Sequence, residues 1–281
     1  MEFGASIFFT DYSISPAELA IALEQRGFDS LWAAEHSHIP VPRRTPPPGG
    51  GELAKRYYDV MDPFVTLAVA AAATKRLKVA TGICLVIQRD TIQTAKLVAS
   101  IDQVSGGRFL FGIGGGWNME EIESHGTAFA TRMQKMREQM EAMKEIWTKE
   151  TAAYDGEIIK VPSMQTWPKP TQRPYPPILL GGAFPYAARR AIRYGDGWYP
   201  NASSGNPLEY LPRFREMAKE AGRDPQSLPV TLGGAPEDPD MLKRFRDLGV
   251  VRVNFPVPPA KADEVLPILD RVAKLKQQVG A

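Results

Sequence analysis

Short, unbroken apolar runs alternate along this chain with longer amphipathic stretches, a pattern that predicts strands followed by helices. Phe3–Phe9 reads as a buried strand. The helix after it opens at Ser15-Pro16 and runs to about Arg26, where Gly27 stops it. A serine cap, a proline at the first helical position and a closing glycine are the expected start and stop chemistry. Ser30–Ala34 is the second strand, and beyond a long loop Asp62-Pro63 opens an alanine-rich helix to about Thr74. Leu77–Leu85 is the third strand, followed by a helix over Thr91 to Val104. Arg108–Ile113 is the fourth, followed by a long helix over Thr131 to Lys149. The second half repeats the metre with strands Pro177–Leu180, Gly197–Tyr199, Pro229–Leu232 and Val250–Phe255. Their helices cover Tyr186–Tyr194, Leu208–Ala221, Pro239–Leu248 and Ala262–Gln278. Continuous apolar runs suit parallel strands covered on both faces. Eight such units predict a single (β/α)8 TIM barrel over residues 1–281 rather than a doubly wound open sheet.

Two segments break the metre. His36 to Met61 carries Pro40-Val-Pro-Arg-Arg-Thr-Pro-Pro-Pro-Gly-Gly-Gly51, which suits neither a helix nor a central strand. It reads as a long insertion after strand two, lying over the barrel mouth, with a polyproline ligand as the competing reading. Thr151 to Pro176, before strand five, combines strand-like Gly156–Val161 with four prolines and reads as a hairpin and an extended stretch.

Composition narrows the function classes. Lys and Arg number 34 against 32 Asp and Glu, and a net charge of +2 without a basic stripe argues against nucleic acid or an acidic membrane as partner. Hydrophobic residues at 43% exclude wholesale disorder. The lone cysteine, Cys84, excludes an internal disulfide. The apolar stretch Phe64–Ala73 is far short of the ~20 residues of a membrane span. The N-terminus has neither a basic leader nor a long apolar core, so the expectation is a cytoplasmic protein.

In a TIM barrel the chemistry sits in the loops after the strands. There the chain places Glu35-His36-Ser37-His38, Gly82-Ile83-Cys84, Gly112 to Asn118, Gly181-Gly182-Ala183 and Asp196-Gly197-Trp198. Among three histidines, His36 is the strongest acid–base candidate, against the plain reading of a histidine that satisfies a strand end. Gly181-Gly182-Ala183 lies before a helix rich in Arg189, Arg190 and Arg193, where free amides meet an anion. It is preferred over the near-copy at Gly233-Gly234, which acidic residues follow. No histidine spacing suggests a metal site. Trp117 and Trp198 are candidate walls for a flat heterocycle, or else packing at strand ends.

Several of these motifs together resemble the bacterial luciferase-like monooxygenase superfamily. They are Gly27-Phe-Asp-Ser-Leu-Trp-Ala-Ala-Glu-His36, Val79-Ala-Thr-Gly-Ile-Cys84, Leu97 to Asp102, Ser105 to Asn118, Ile178 to Ala183 and Gly195-Asp-Gly-Trp198. The loop Pro42 to Tyr58 is similar to a branch assigned to the deazaflavin coenzyme F420. The resemblance implies a barrel that holds a flavin or deazaflavin ring in its mouth, backed by a non-prolyl cis peptide at Gly82–Ile83. It further implies His36 as the catalytic histidine, with the acidic position before it at Glu35. A cofactor contact falls on Asn118 and the phosphate site on Gly181 and Gly182. The full cofactor set expected is Glu35, Gly82, Ile83, Cys84, Gly114, Gly115, Trp117, Asn118, Gly181, Gly182 and Ala183, with His38 and Trp198 beside the substrate. Arg43, Arg44, Lys55 and Arg56 are candidates to steer the coenzyme's polyglutamate tail. One departure stands out: sugar-phosphate dehydrogenase relatives carry a glutamate where this chain has Gly115. The implied activity is hydride transfer between coenzyme F420 and a small organic substrate. The alternatives are an FMN-dependent monooxygenase and a non-catalytic flavin- or deazaflavin-binding protein. A homodimer is the expected assembly.

Overall fold

The computed structural model describes residues 1–280. In chain order the elements are β1 (Glu2–Ile7), α1 (Pro16–Gln25), β2 (Ser30–Ala33), α2 (Pro63–Ala73), β3 (Lys78–Thr81), α3 (Thr91–Ser105) and β4 (Phe109–Ile113). Then come α4 (Met119–Ser124), α5 (Arg132–Thr148), β5 (Ala152–Asp155), β6 (Lys160–Met164), β7 (Ile178–Gly181), α6 (Tyr186–Tyr194) and β8 (Gly197–Tyr199). The chain ends with α7 (Pro207–Glu220), β9 (Val230–Gly233), α8 (Pro239–Asp247), β10 (Val250–Pro256) and α9 (Ala262–Val279). Eight strands close a parallel barrel in the order β1-β10-β9-β8-β7-β4-β3-β2, which is the predicted TIM architecture. The β5–β6 pair is the antiparallel hairpin expected before the fifth barrel strand, with Tyr154 opposite Val161.

Burial on both faces explains why the strands read as unbroken apolar runs. Every residue of β2, β4, β7 and β9 is buried. Outward side chains such as Phe3, Leu31, Phe109 and Phe111 join one large core beneath the helices. Inward ones form a separate small cluster of Trp32, Ala80, Leu110 and Leu179, with Tyr199 packed on it. Below that cluster Arg252 crosses the barrel floor, donating to Glu2 at 2.8 Å and to the Thr231 hydroxyl at 2.9 Å. Cap chemistry sets helix starts: the Ser15 hydroxyl accepts from the Glu18 N–H, and the Asp62 carboxylate from Phe64 and Val65. Gly106 closes α3 in the left-handed region with φ 65°.

Three differences from the sequence reading concern the mouth. The first strand ends at Ile7, which releases Phe8 toward the mouth cavity. The third ends at Thr81 rather than at Leu85, because the Gly82–Ile83 bond is cis and the chain leaves the ladder there. It rejoins at Cys84 through a single bridge to Ile113. Finally, the stretch after β4 contains the short helix α4, which the apolar pattern did not reveal.

Candidate active site

At the C-terminal ends of the strands lies a cavity of 310 Å³. Its wall brings together eight of the expected residues: Glu35, His36, Gly82, Ile83, Gly115, Trp117, Gly181 and Gly182. Phe8, Tyr57, Met133 and Arg190 join them, none of which the sequence reading had singled out as a wall residue.

His36 follows β2 and is held by α4. Its Nδ1–H donates to Glu121 at 2.7 Å, and the other Glu121 oxygen accepts the Ser37 N–H at 3.1 Å. The Glu121 side chain is 1% exposed, and a carboxylate so buried requires such partners. With Nδ1 engaged, Nε2 is the nitrogen of His36 left without a protein partner. Tyr57 and Trp117 stand against the imidazole, with ring centroids 5.2 and 5.7 Å away. The site therefore presents one oriented imidazole between two aromatic rings.

Glu35 performs a different task from His36. It accepts the Leu85 N–H at 2.6 Å and pairs with Arg89, which also reaches Asp62. It thereby pins the chain just past the cis bond. Burial works against the Arg89 charge, yet the Glu35 carboxylate raises its pKa overall. Burial, reinforced by Glu35, pushes the Cys84 thiol well up, so it remains protonated. Cys84 is buried behind the bulge and does not wall the cavity.

Ile83 projects from the bulge between two glycines. A Cβ on Gly114 would stand 1.9 Å from Ile83 Cδ1, and one on Gly181 would stand 2.8 Å from Cγ2. Both positions exclude a side chain. Gly114 supports the floor from behind without lining the cavity. At Gly115, the position where the resemblance implied an absent glutamate, a Cβ would lie 2.5 Å from Met133 Cε. Met133 of α5 fills that space. The carboxylate beside His36 comes from α4 instead.

The opposite wall is electropositive. The Gly182 N–H is taken by Tyr199 O at 3.2 Å, which corrects the expectation that this amide faces an anion. The N–H groups of Ala183 and Phe184, at the entry to α6, have no acceptor among the described residues, but Ala183, expected on the site, lies just outside the cavity lining, and Phe184 lines the neighbouring hollow between α6 and α7. Arg190 lines the cavity, and its buried Nε has no partner. Arg132, outside the cavity lining, donates through Nη1 to Phe129 O at 2.7 Å but likewise has a buried Nε without a partner. Burial lowers the pKa of both guanidiniums, and the Arg190 charge lowers that of Arg132 further. Free amides at a helix start beside guanidinium groups with no carboxylate fit a phosphate. This donor set fits the phosphate of a flavin or deazaflavin.

Two expected wall residues lie elsewhere. Trp198 is fully buried against Phe214 and Tyr210, and it reaches the glycine turn only through Nε1–H donation to Gly182 O at 3.1 Å. His38 is exposed beyond the rim, hydrogen-bonded to Ser37 and Ser124 in a cluster with His125. Asn118 is buried at the start of α4, and its amide has no partner and no face on the cavity. Of the missed residues, Glu121 left no motif, and Tyr57 lay in the Pro42 to Tyr58 loop without being singled out. Arg190 had been read only as part of a basic helix.

The fold and the site define a TIM-barrel protein whose mouth combines an oriented histidine, a bulged floor and a corner of unpaired hydrogen-bond donors. The family model described as luciferase-like monooxygenase matches residues 15–236, and the chain belongs to that family. It is 37% identical to an uncharacterized protein of Mycobacterium tuberculosis, covering 97% of this chain and 98% of the other. An F420-dependent hydroxymycolic acid dehydrogenase of the same species is 27% identical over 79% of this chain and 57% of its own length. Among solved structures, the monooxygenase RslO1 from Streptomyces bottropensis superposes with a TM-score of 0.80 at 20% identity, covering all of both chains. Among the described residues no helix is long and apolar enough to cross a membrane.

Proposed function

We propose that the chain is an oxidoreductase that exchanges a hydride between coenzyme F420 and a small organic substrate in the barrel mouth. The observation that carries this reading is the His36–Glu121 pair facing the cavity above the Gly82–Ile83 bulge. When bound, the coenzyme supplies hydride transfer, as the barrel alone has no redox group. The protein's part is to bind, orient and handle the accompanying proton. Glu121 fixes the tautomer of His36, so Nε2 accepts or delivers that proton. Trp117 and Tyr57 keep water from the imidazole, and the bulge supports one face of the ring. Ala183, Phe184 and Arg190 hold the phosphate. The similarity to an F420-dependent dehydrogenase supports the choice of coenzyme.

Paired titrations with oxidised F420 and FMN test the reading, followed by anaerobic turnover with reduced F420 and a panel of carbonyl acceptors. Tight F420 binding with turnover is expected. Binding of FMN alone, with oxygen consumed in the presence of reduced FMN, would replace this reading by a monooxygenase. Tight binding with no turnover across the panel would favour a non-catalytic carrier.

A further inference from the structure

A second hollow, of 450 Å³, lies between α5 and α6 beside the mouth cavity. Met133 and Arg190 line both, so the two share a wall. Arg189 and Arg193 extend the basic wall along this groove. They lie four residues apart on α6, about 6 Å along its axis, and both are exposed. Neither has a carboxylate partner, whereas Arg137 on the facing helix is held by Glu141 at 3.3 Å and Glu138 at 3.6 Å. Those two acids are further engaged by Tyr154 and by the Ile158 and Ile159 amides. Tyr194, only 8% exposed, also lines the groove and has a hydroxyl without a partner.

Like charges at i and i+4 on a helix repel each other, and a bound polyanion relieves that repulsion. The other candidates for such a role are already occupied. Arg43 donates to the Thr45 carbonyl and lies over the Trp117 ring, Arg44 pairs with Glu120, Lys55 with Asp59, and Arg56 lies over the rings of Phe8 and Tyr57. A larger hollow of 830 Å³ between α6 and α7 shares Arg189 and Arg193, but its own Arg213 is neutralised by Glu216 and Glu220, and Arg223 caps carbonyls at the end of α6. It also lacks the shared walls that join the first groove to the mouth.

We infer that the α5–α6 groove is the docking track for the oligo-γ-glutamate tail of the coenzyme, with its carboxylates paired to Arg189 and Arg193. The inference rests on F420 as the ligand of the mouth, since FMN ends at its phosphate and has nothing to place there. It moves the tail from the loop after β2, where the sequence suggested it, to the face of α6.

The test is a fluorescence titration of the intact protein with F420 bearing its full tail and with the form that ends at the phospholactyl group. Wild type, Arg189→Gln/Arg193→Gln and Arg190→Gln are compared at low and high salt. In wild type the full-tail coenzyme should bind about tenfold tighter at ~0.02 M salt, with the advantage lost near ~0.5 M. In the double variant the two forms should bind alike, at the affinity of the tailless form. Both substituted side chains are exposed, and an unchanged melting temperature will show that the variant is folded. Equal wild-type affinity for the two forms, with binding still weakened by Arg190→Gln, would overturn the tail track and leave F420 in place. Binding of FMN with no deazaflavin form bound would overturn both.

Discussion

On the β2 side of the mouth, Glu35 and Glu121 each hold a partner within the protein: Arg89 and the Leu85 amide for one, His36 and the Ser37 amide for the other. Across the cavity, Arg190 and, outside the lining, Arg132 each have a buried Nε with no partner, and the Ala183 and Phe184 amides beyond Gly182 have no acceptor among the described residues. The first wall is complete without a ligand, as a proton-transfer group must be if its geometry is fixed before substrate arrives. The second has donors left over, which the proposed reading assigns to an anion. A buried donor without a partner is costly, and a ligand that accepts from it offsets that cost. On the proposed reading, the first wall acts and the second binds.

Substitutions that affect one wall and spare the other sharpen this division. The largest effect should come from His36→Ala, which should cut turnover about 100- to 10,000-fold while cofactor affinity changes little. Steady-state rates and fluorescence titration measure the two separately, and a full rate in this variant would remove the proton-transfer role. Arg190→Gln should show the reverse split. Affinity for the coenzyme should fall about 10- to 100-fold, the range of a lost charge-assisted hydrogen bond, with kcat at saturation little altered. Because the change also removes the charge that faces Arg132, the melting temperature of the free protein should not fall.

A smaller loss, about 10- to 100-fold in kcat with KM unchanged, is expected for Glu121→Gln, because the imidazole loses the partner that orients it. A fall in KM or melting temperature alone would reduce Glu121 to a structural role. The smallest effect concerns the loop after β2. The Thr45 hydroxyl at 2.6 Å, together with Arg44, holds the Glu120 carboxyl down at about 2 against an ordinary 4.5. Its stabilising contribution is therefore full above pH 4.5 and is lost as the pH falls toward 2. The melting temperature of Glu120→Gln should lie below that of wild type at pH 6, with the gap narrowing toward pH 3. A gap constant over that range would detach Glu120 from the loop.

The barrel was legible because parallel strands buried on both faces leave apolar runs that no surface strand would carry, as in Phe109–Ile113 and Ile178–Gly181. The positions of His36, Gly82–Ile83 and Gly181 followed from strand order alone, since the mouth gathers the strand ends. What stayed hidden depends on pairing across the fold. Glu121 and His36 are 85 residues apart, and nothing local marks Glu121 among the acids of a six-residue helix. Tyr57 reaches the site from within the irregular loop, where periodicity carries no information. Trp198 misled because a tryptophan after a strand suits a cavity wall and a core equally well. Only the packing of Phe214 and Tyr210 decides between them.

The most direct test of the two-walled mouth is a crystal structure of the protein with oxidised coenzyme F420. The account predicts the ring on the Gly82–Ile83 bulge beside His36, with the phosphate on the Ala183 and Phe184 amides and Arg190. A phosphate bound away from Arg190, or a ring outside reach of His36, would contradict it.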